Sequence, residues 1–165
     1  MQTTSLNINQ KVADLLASDV VTEPTLKALQ KRLSKKEGEP QFFSVYELNL
    51  LNLICDRLVD QNPADRLVNI GILIDVRLAQ GLCDGWRYDN MPPDNIMLLQ
   101  GLKGIDETAT LIYGKAFMEL EKEAQINILN IIQQGHAAGQ TWLLLSSKRF
   151  FEELLAETVE IFFSD

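Results

Sequence analysis

Histidine and cysteine are scarce in this chain of 165 residues. There is one histidine, His136, and there are two cysteines, Cys55 and Cys83. A ferritin-like di-iron site uses two Glu-x-x-His motifs, and a zinc site uses three or four ligands drawn from His, Cys and carboxylates. We therefore expect no metal site in this chain, and the lack of a Cys-x-x-Cys-His motif argues against covalent haem attachment.

Basic residues and long apolar runs are also few. Lys and Arg total 15 against 23 Asp and Glu, which gives a formal net charge of -8. Because a negative surface repels phosphate groups, we expect no nucleic-acid binding and no binding to anionic membranes. Apolar runs such as 142–145 fall far short of the roughly 18 residues that span a bilayer. Residues 1–14 contain no basic n-region and no twin arginine, so the expected location is cytoplasmic.

Hydrophobic residues, in contrast, make up 46% of the chain and recur at helical spacing nearly throughout. Alternation with period two is hard to find. The pattern predicts an all-α fold, a compact multi-helix bundle of five or six core helices with an N-terminal helical arm. The stretch before Pro40 is rich in Lys, Glu and Gly, which is typical of a linker. We therefore divide the chain into a helical arm over 1–40 and a domain over 41–165.

Several helix boundaries follow from local motifs. Ser44 and Glu47 form a capping box, which predicts a helix that continues to about Gln61. Asn62 and Pro63 then predict the start of a second helix, which stops at Gly81. Further helices are expected over about 93–113, 120–134 and 146–163. Gly101 and Gly104 weaken the middle of the first of these three, which predicts a bend or close packing there.

No motif for catalysis or cofactor binding stands out. The glycines at 101 and 104 do not form G-x-G-x-x-G, and Gly114-Lys115 lacks the upstream glycine of a phosphate-binding loop. His136 lies in a Gly-rich turn, where it either caps a helix or acts as a general base with a carboxylate such as Asp106. We predict no catalytic, cofactor-binding or metal-binding residues, and a small helical enzyme that uses His136 stays open as an alternative.

Two regions are candidates for contact with a partner. Trp86, Arg87 and Tyr88 lie in the irregular segment 81–93, and these residue types are enriched in interface hot spots. Their aromatic rings are equally suited to closing one end of the bundle. The last predicted helix carries an apolar face wider than one core requires, and its candidates are Phe150, Phe151, Phe162 and Phe163.

Short motifs in a fixed order mark the C-terminal half. They are 101–106 (GLKGID), 113–120 (YGKAFMEL), 150–155 (FFEELL) and 160–165 (EIFFSD), and the helix after Ser44 adds 55–59 (CDRLV). This series resembles the gluconate 2-dehydrogenase subunit 3 family over about 42–165. Ala116 stands where that family usually has proline, and the chain lacks the twin-arginine signal that many members carry.

The resemblance implies a non-catalytic small subunit. Such a subunit binds and stabilises or matures an FAD-dependent dehydrogenase of the glucose–methanol–choline type that oxidises gluconate or another sugar. It implies FAD in the large subunit and no cofactor in this chain. A cytochrome c subunit is often a further partner, and the complex is periplasmic if it is exported with the partner.

On this reading Phe117 in the second motif joins the interface candidates. A stand-alone homo-oligomeric scaffold remains the alternative from another class.

Overall fold

The computed structural model describes Thr22, residues 39–82 and residues 91–164. Residues 39–164 belong to one compact unit, Glu39–Asp165. The described residues form α-helices and two short 3₁₀ turns, with no strand among them. The helices are α1 (Val45–Leu58), α2 (Ile70–Ala79), α3 (Asp94–Tyr113), α4 (Lys122–Gln133) and α5 (Ser147–Ser164), and the turns are Phe117–Glu119 and Thr141–Leu143. The prediction of an all-α fold is confirmed.

The predicted arm and part of the predicted interface lie outside the described residues. The arm over 1–40 is described only at Thr22 and at residues 39 and 40, so its helices and the division at 40 stay predictions. The interface role predicted for Trp86, Arg87 and Tyr88 also stays a prediction, because residues 83–90 lie outside the described ranges.

The start of α1 follows the capping signal in the sequence. Ser44 Oγ accepts a hydrogen bond from the Glu47 amide at 3.3 Å, and the Glu47 carboxylate accepts one from the Ser44 amide at 2.8 Å. Just before this cap, the buried carboxylate of Asp75 accepts hydrogen bonds from the three consecutive backbone amides of residues 41–43, at 2.7 to 3.0 Å. The entry into α1 is therefore fixed to α2 by a charge that these donors satisfy.

The predicted start of the second helix is wrong. Helix α2 begins at Ile70, not at Pro63. Asn62 Oδ1 accepts a hydrogen bond from the Ala64 amide at 3.0 Å and so forms a local turn. The Gln61 side chain then occupies backbone groups that a helix would need, since its Nε2 donates to the Val68 carbonyl at 2.9 Å and its Oε1 accepts from the Leu67 amide at 3.2 Å.

Helix α3 is the centre of the bundle and contacts α1, α4, α5 and both 3₁₀ turns. Two of its glycines allow this close approach. A Cβ atom at Gly101 would overlap the ring of Phe150, and one at Gly104 would lie 2.5 Å from Trp142 Cζ2. Close packing, one of the two outcomes predicted for these glycines, is what the structure shows. The largest fully buried side chains include Leu51, Ile54, Ile74, Leu98, Ile105, Phe117, Ile128, Ile132 and Phe150.

Polar contacts of one arginine tie α2 to α3 and α5. The Arg77 guanidinium forms ion pairs with Glu157 in α5 and with Asp94 at the start of α3, the latter at 3.5 Å. It also donates to the Leu82 carbonyl at 3.1 Å. These side chains are mostly shielded from water, so their attraction is screened less than that of an exposed pair.

Candidate partner-binding surface

The predicted aromatic interface residues of the C-terminal half have different positions in the structure. Phe117, Phe150 and Phe151 are buried in the core, where they contact other parts of this chain. Phe162 is half-buried against the core, and Phe163 beside it is 79% exposed. The apolar face of α5 is therefore wide because its first half fills the core, and it reaches the surface near the end of the helix.

Phe117 shows why an aromatic residue in an irregular segment is buried. Its amide donates to Asp106 Oδ1 at 2.9 Å, and its carbonyl accepts from Gln125 Nε2 at 3.2 Å. The buried Gln125 amide also donates to the Leu120 carbonyl at 2.8 Å. Asp106 and Gln125 thus satisfy the backbone of this 3₁₀ turn, which allows the ring of Phe117 to enter the core.

The most exposed apolar side chains of the loops lie in the second 3₁₀ turn and directly after it. Leu143 is 75% exposed and Leu144 is 85% exposed. We call these two residues the leucine pair. The sequence contains the signal for it, a four-residue apolar run at 142–145 that stands directly before a helix start. Leu145, the next residue, is buried, so only part of this run belongs to the core.

The backbone that presents the leucine pair is held firmly to α3. The Glu107 carboxylate accepts hydrogen bonds from the Gln140 amide at 2.7 Å and the Thr141 amide at 3.0 Å. These backbone bonds hold the pKa of Glu107 below its usual value. Trp142 Nε1 donates to Thr108 Oγ1 at 2.8 Å while its ring packs over Gly104. The two leucines are therefore presented to solvent on an ordered turn.

A second exposed feature is a groove of about 460 Å³ between α1 and α3. That volume lies within the range of about 300–1,000 Å³ typical of binding pockets. The lining residues are Tyr46, Glu47, Leu50, Leu99, Gln100, Leu102, Lys103 and Asp106. Leu50 and Leu102 are buried and form its floor, whereas the polar side chains stand at its edges.

Tyr46 and Asp106 form one edge of this groove. The Tyr46 hydroxyl donates to Asp106 Oδ2, the oxygen that is not bonded to the Phe117 amide. Partial burial, this hydrogen bond and the nearby carboxylates of Asp106 and Glu119 raise the pKa of Tyr46 to about 12. Tyr46 therefore stays a neutral donor at physiological pH, and its ring extends the apolar wall of the groove.

The structure does not place His136 with Asp106. His136 is exposed in the turn after α4, where its amide donates to the Ile131 carbonyl at 3.0 Å. Asp106 is bonded to Tyr46 and Phe117 instead, and the groove that contains it is lined without His136. The two groups do not form a catalytic pair in this arrangement, so the geometry gives the small-enzyme alternative no support.

Cys55 is a buried free thiol in α1. Its Sγ lies 3.5 Å from Thr158 Oγ1 in α5. Burial raises the pKa of Cys55 to about 12, so the reactive thiolate is disfavoured. Within the ranges 39–82 and 91–164 no cluster of three or more His, Cys, Asp or Glu side chains is arranged to hold a metal ion. None of the helices described is both long enough and apolar enough to cross a membrane.

The described residues therefore define an all-α helical domain that exposes a leucine pair and a groove. The profile of the family described as "Gluconate 2-dehydrogenase subunit 3" matches residues 45–165. The chain therefore belongs to the gluconate 2-dehydrogenase subunit 3 family. Comparison with curated proteins and comparison with solved structures each gave no match.

Proposed function

We propose that this chain is the non-catalytic accessory subunit of an FAD-dependent dehydrogenase of the glucose–methanol–choline type, which it binds and stabilises or matures. In this proposal the large subunit holds the FAD and oxidises gluconate or another sugar, and a cytochrome c subunit accepts the electrons. The family to which the chain belongs is named for subunit 3 of gluconate 2-dehydrogenase, which supports a role as one subunit of a complex.

The family match carries the proposal, and the leucine pair is the surface feature that supports it. Transferring a leucine side chain from water into an apolar site is worth about 1.5–3 kcal/mol. Leu143 and Leu144 forgo most of this gain in the isolated chain, although Glu107 and Trp142 hold their backbone in place. An ordered turn loses little conformational entropy on association, so burying the pair against a partner would contribute directly to affinity.

Co-expression tests the proposal. The full chain would be produced together with a glucose–methanol–choline-type dehydrogenase from the same genome, the gene neighbour where there is one. We expect a shared peak in size-exclusion chromatography and a higher flavin content than the dehydrogenase reaches alone. Separate peaks together with an unchanged flavin content would refute the accessory-subunit assignment. Light scattering on the chain alone would reveal a homo-oligomeric scaffold.

A pair of variants tests the surface. We expect the double substitution Leu143→Ser and Leu144→Ser to weaken binding by about tenfold or more, since every 1.4 kcal/mol is a factor of ten. Leu67→Ser is the matched control, because Leu67 is a loop leucine that is 69% exposed. Equal binding by the double variant and the control would remove the leucine pair from the interface while the assignment itself stood.

A further inference from the structure

The groove between α1 and α3 is open at the surface and has an apolar floor. Its floor is made by leucine side chains, and Tyr46 of α1 and Leu99 of α3 also line it. Because Leu99, Lys103 and Asp106 are spaced at i, i+4 and i+7, they share one face of α3. A groove with a leucine floor between two antiparallel or crossing helices is the kind of surface that binds an amphipathic helix through spaced apolar anchors.

The charges at the groove favour a helix that carries a basic side chain next to its apolar side chains. Glu47 and Asp106 stand at the edge, Glu119 lies close enough to act on Tyr46, and Lys103 is the single cation among the lining residues. Among the residues that the structure describes, no lysine or arginine forms an ion pair with any of these three carboxylates. The carboxylate of Asp106 accepts two hydrogen bonds, which leaves acceptor capacity for a cationic donor.

Helix α3 contributes both to the groove and to the support of the leucine pair. Lys103 lines the groove, and Glu107, one helical turn further along α3, accepts the hydrogen bonds that hold the turn before the leucine pair.

We propose that the groove between α1 and α3 binds a helical segment of the partner dehydrogenase that presents leucine-like side chains next to a lysine or arginine. This inference rests on the proposed function, since it names where and how the partner is recognised. The apolar side chains rest on the floor formed by Leu50 and Leu102, and the cation lies against Asp106 at the edge.

The test uses the full chain co-expressed with the dehydrogenase, and it compares two arginine substitutions. Leu99→Arg places a bulky cation in the groove, whereas Ile126→Arg places one on α4, where Ile126 is 39% exposed. We expect Leu99→Arg to weaken binding by about tenfold or more and Ile126→Arg to change it by less than about twofold. Far-UV circular dichroism and the thermal midpoint establish that both variants are folded.

A third variant tests the charge of the segment and does not depend on the folding of Leu99→Arg. Lys103 is exposed, so Lys103→Gln removes the single cation among the lining residues without adding a carboxylate one turn from Glu107. We expect this variant to bind the dehydrogenase about twofold more tightly, and we expect the gain to shrink as salt is added. Weaker binding by Lys103→Gln would overturn the basic character of the segment.

The outcomes separate this inference from the proposed function. If the wild-type chain and the dehydrogenase share a peak while Leu99→Arg binds as well as Ile126→Arg, the groove is not the docking site and the accessory role stands. If the wild-type chain and the dehydrogenase do not associate at all, both the accessory role and the groove as its docking site are refuted. If the chain alone forms a dimer that Leu99→Arg dissociates, the groove belongs to a second copy and the inference is refuted.

Discussion

Replacing Gly101 by alanine has two opposing effects on stability: alanine has the better helix propensity, but its methyl group disturbs the core packing. In an exposed helix interior this substitution stabilises by about 1 kcal/mol, because glycine loses more backbone entropy on folding. At Gly101 the added methyl group would overlap the ring of Phe150, which is fully buried and packs against Trp142 with ring centroids 5.7 Å apart. Because Phe150 is fully buried, either α3 and α5 move apart or the ring leaves its rotamer.

The two effects have opposite signs and the packing effect is larger. Forcing an extra methyl group into a well-packed core costs about 1–3 kcal/mol, and the rigid ring at this site places the cost near the upper end. Subtracting about 1 kcal/mol for the better propensity of alanine leaves a net loss of about 2 kcal/mol. For a chain of this length that corresponds to a thermal midpoint lower by about 4–8 °C.

Urea and thermal unfolding of the full chain, followed by far-UV circular dichroism, measure this loss. Phe150→Leu provides the second side of a double-mutant cycle, because a smaller side chain leaves room for the new methyl group. In that background Gly101→Ala should be neutral or stabilising. A Gly101→Ala chain as stable as the wild type, or an equal loss of free energy in both backgrounds, would refute this packing effect.

Three further predictions concern buried or hydrogen-bonded ionisable groups. Glu107→Gln should destabilise the chain at pH 7, and the loss should shrink as the pH falls below about 4.5. The reason is that a carboxylate whose pKa is lowered in the folded state contributes stability that is lost on protonation. Urea unfolding across pH measures this, and a difference in unfolding free energy between wild type and variant that stays constant with pH would contradict it. Asp75→Asn should lower the free energy of unfolding by about 2–4 kcal/mol and speed hydrogen exchange at the amides of residues 41–43. One side-chain amide oxygen cannot replace a carboxylate that accepts from all three amides. Unchanged exchange at these amides would refute the role of Asp75 in fixing the entry into α1. In a Cys83→Ser background, Cys55 should resist iodoacetamide at pH 8 until the chain is unfolded, because its buried thiol has a pKa of about 12. The unfolded chain is the control for full labelling. Rapid labelling of the native chain would show that the thiol is accessible.

Local signals predict those helix ends at which neighbouring residues satisfy the backbone. The capping box at Ser44 and Glu47 is complete within four residues, so it predicts the start of α1 without knowledge of the rest of the fold. The end of α3 at Tyr113 is equally local, because Gly114 adopts the left-handed conformation that glycine favours.

The start of α2 depends on contacts that a local pattern does not contain. Asn62 and Pro63 are a typical helix start, but Arg66 forms a bidentate ion pair with the buried Asp56 at 2.8 to 2.9 Å. Together with the Gln61 side chain, this pair holds residues 61–69 against the end of α1. A buried charge left unpaired is costly, so the tertiary ion pair outweighs the local propensity for helix.

The candidate surface was only partly predictable for a similar reason. Aromatic residues are enriched both in interfaces and in cores, and composition alone does not separate Phe150, which is buried, from Phe163, which is exposed. In the sequence, Leu143 and Leu144 have the pattern of ordinary core leucines. Only the tertiary contact with Glu107 shows that their turn is held at the surface of α3. The groove requires two helices to meet, which no single segment specifies.

The contacts of Arg77 also bear on how this chain tolerates change. One guanidinium reaches Leu82 on one side of residues 83–90 and Asp94 beyond the other side, so the points where the chain leaves α2 and enters α3 are tied to the same side chain. Because one side chain holds both points, Arg77→Ala would loosen the end of α2 and the start of α3 at once.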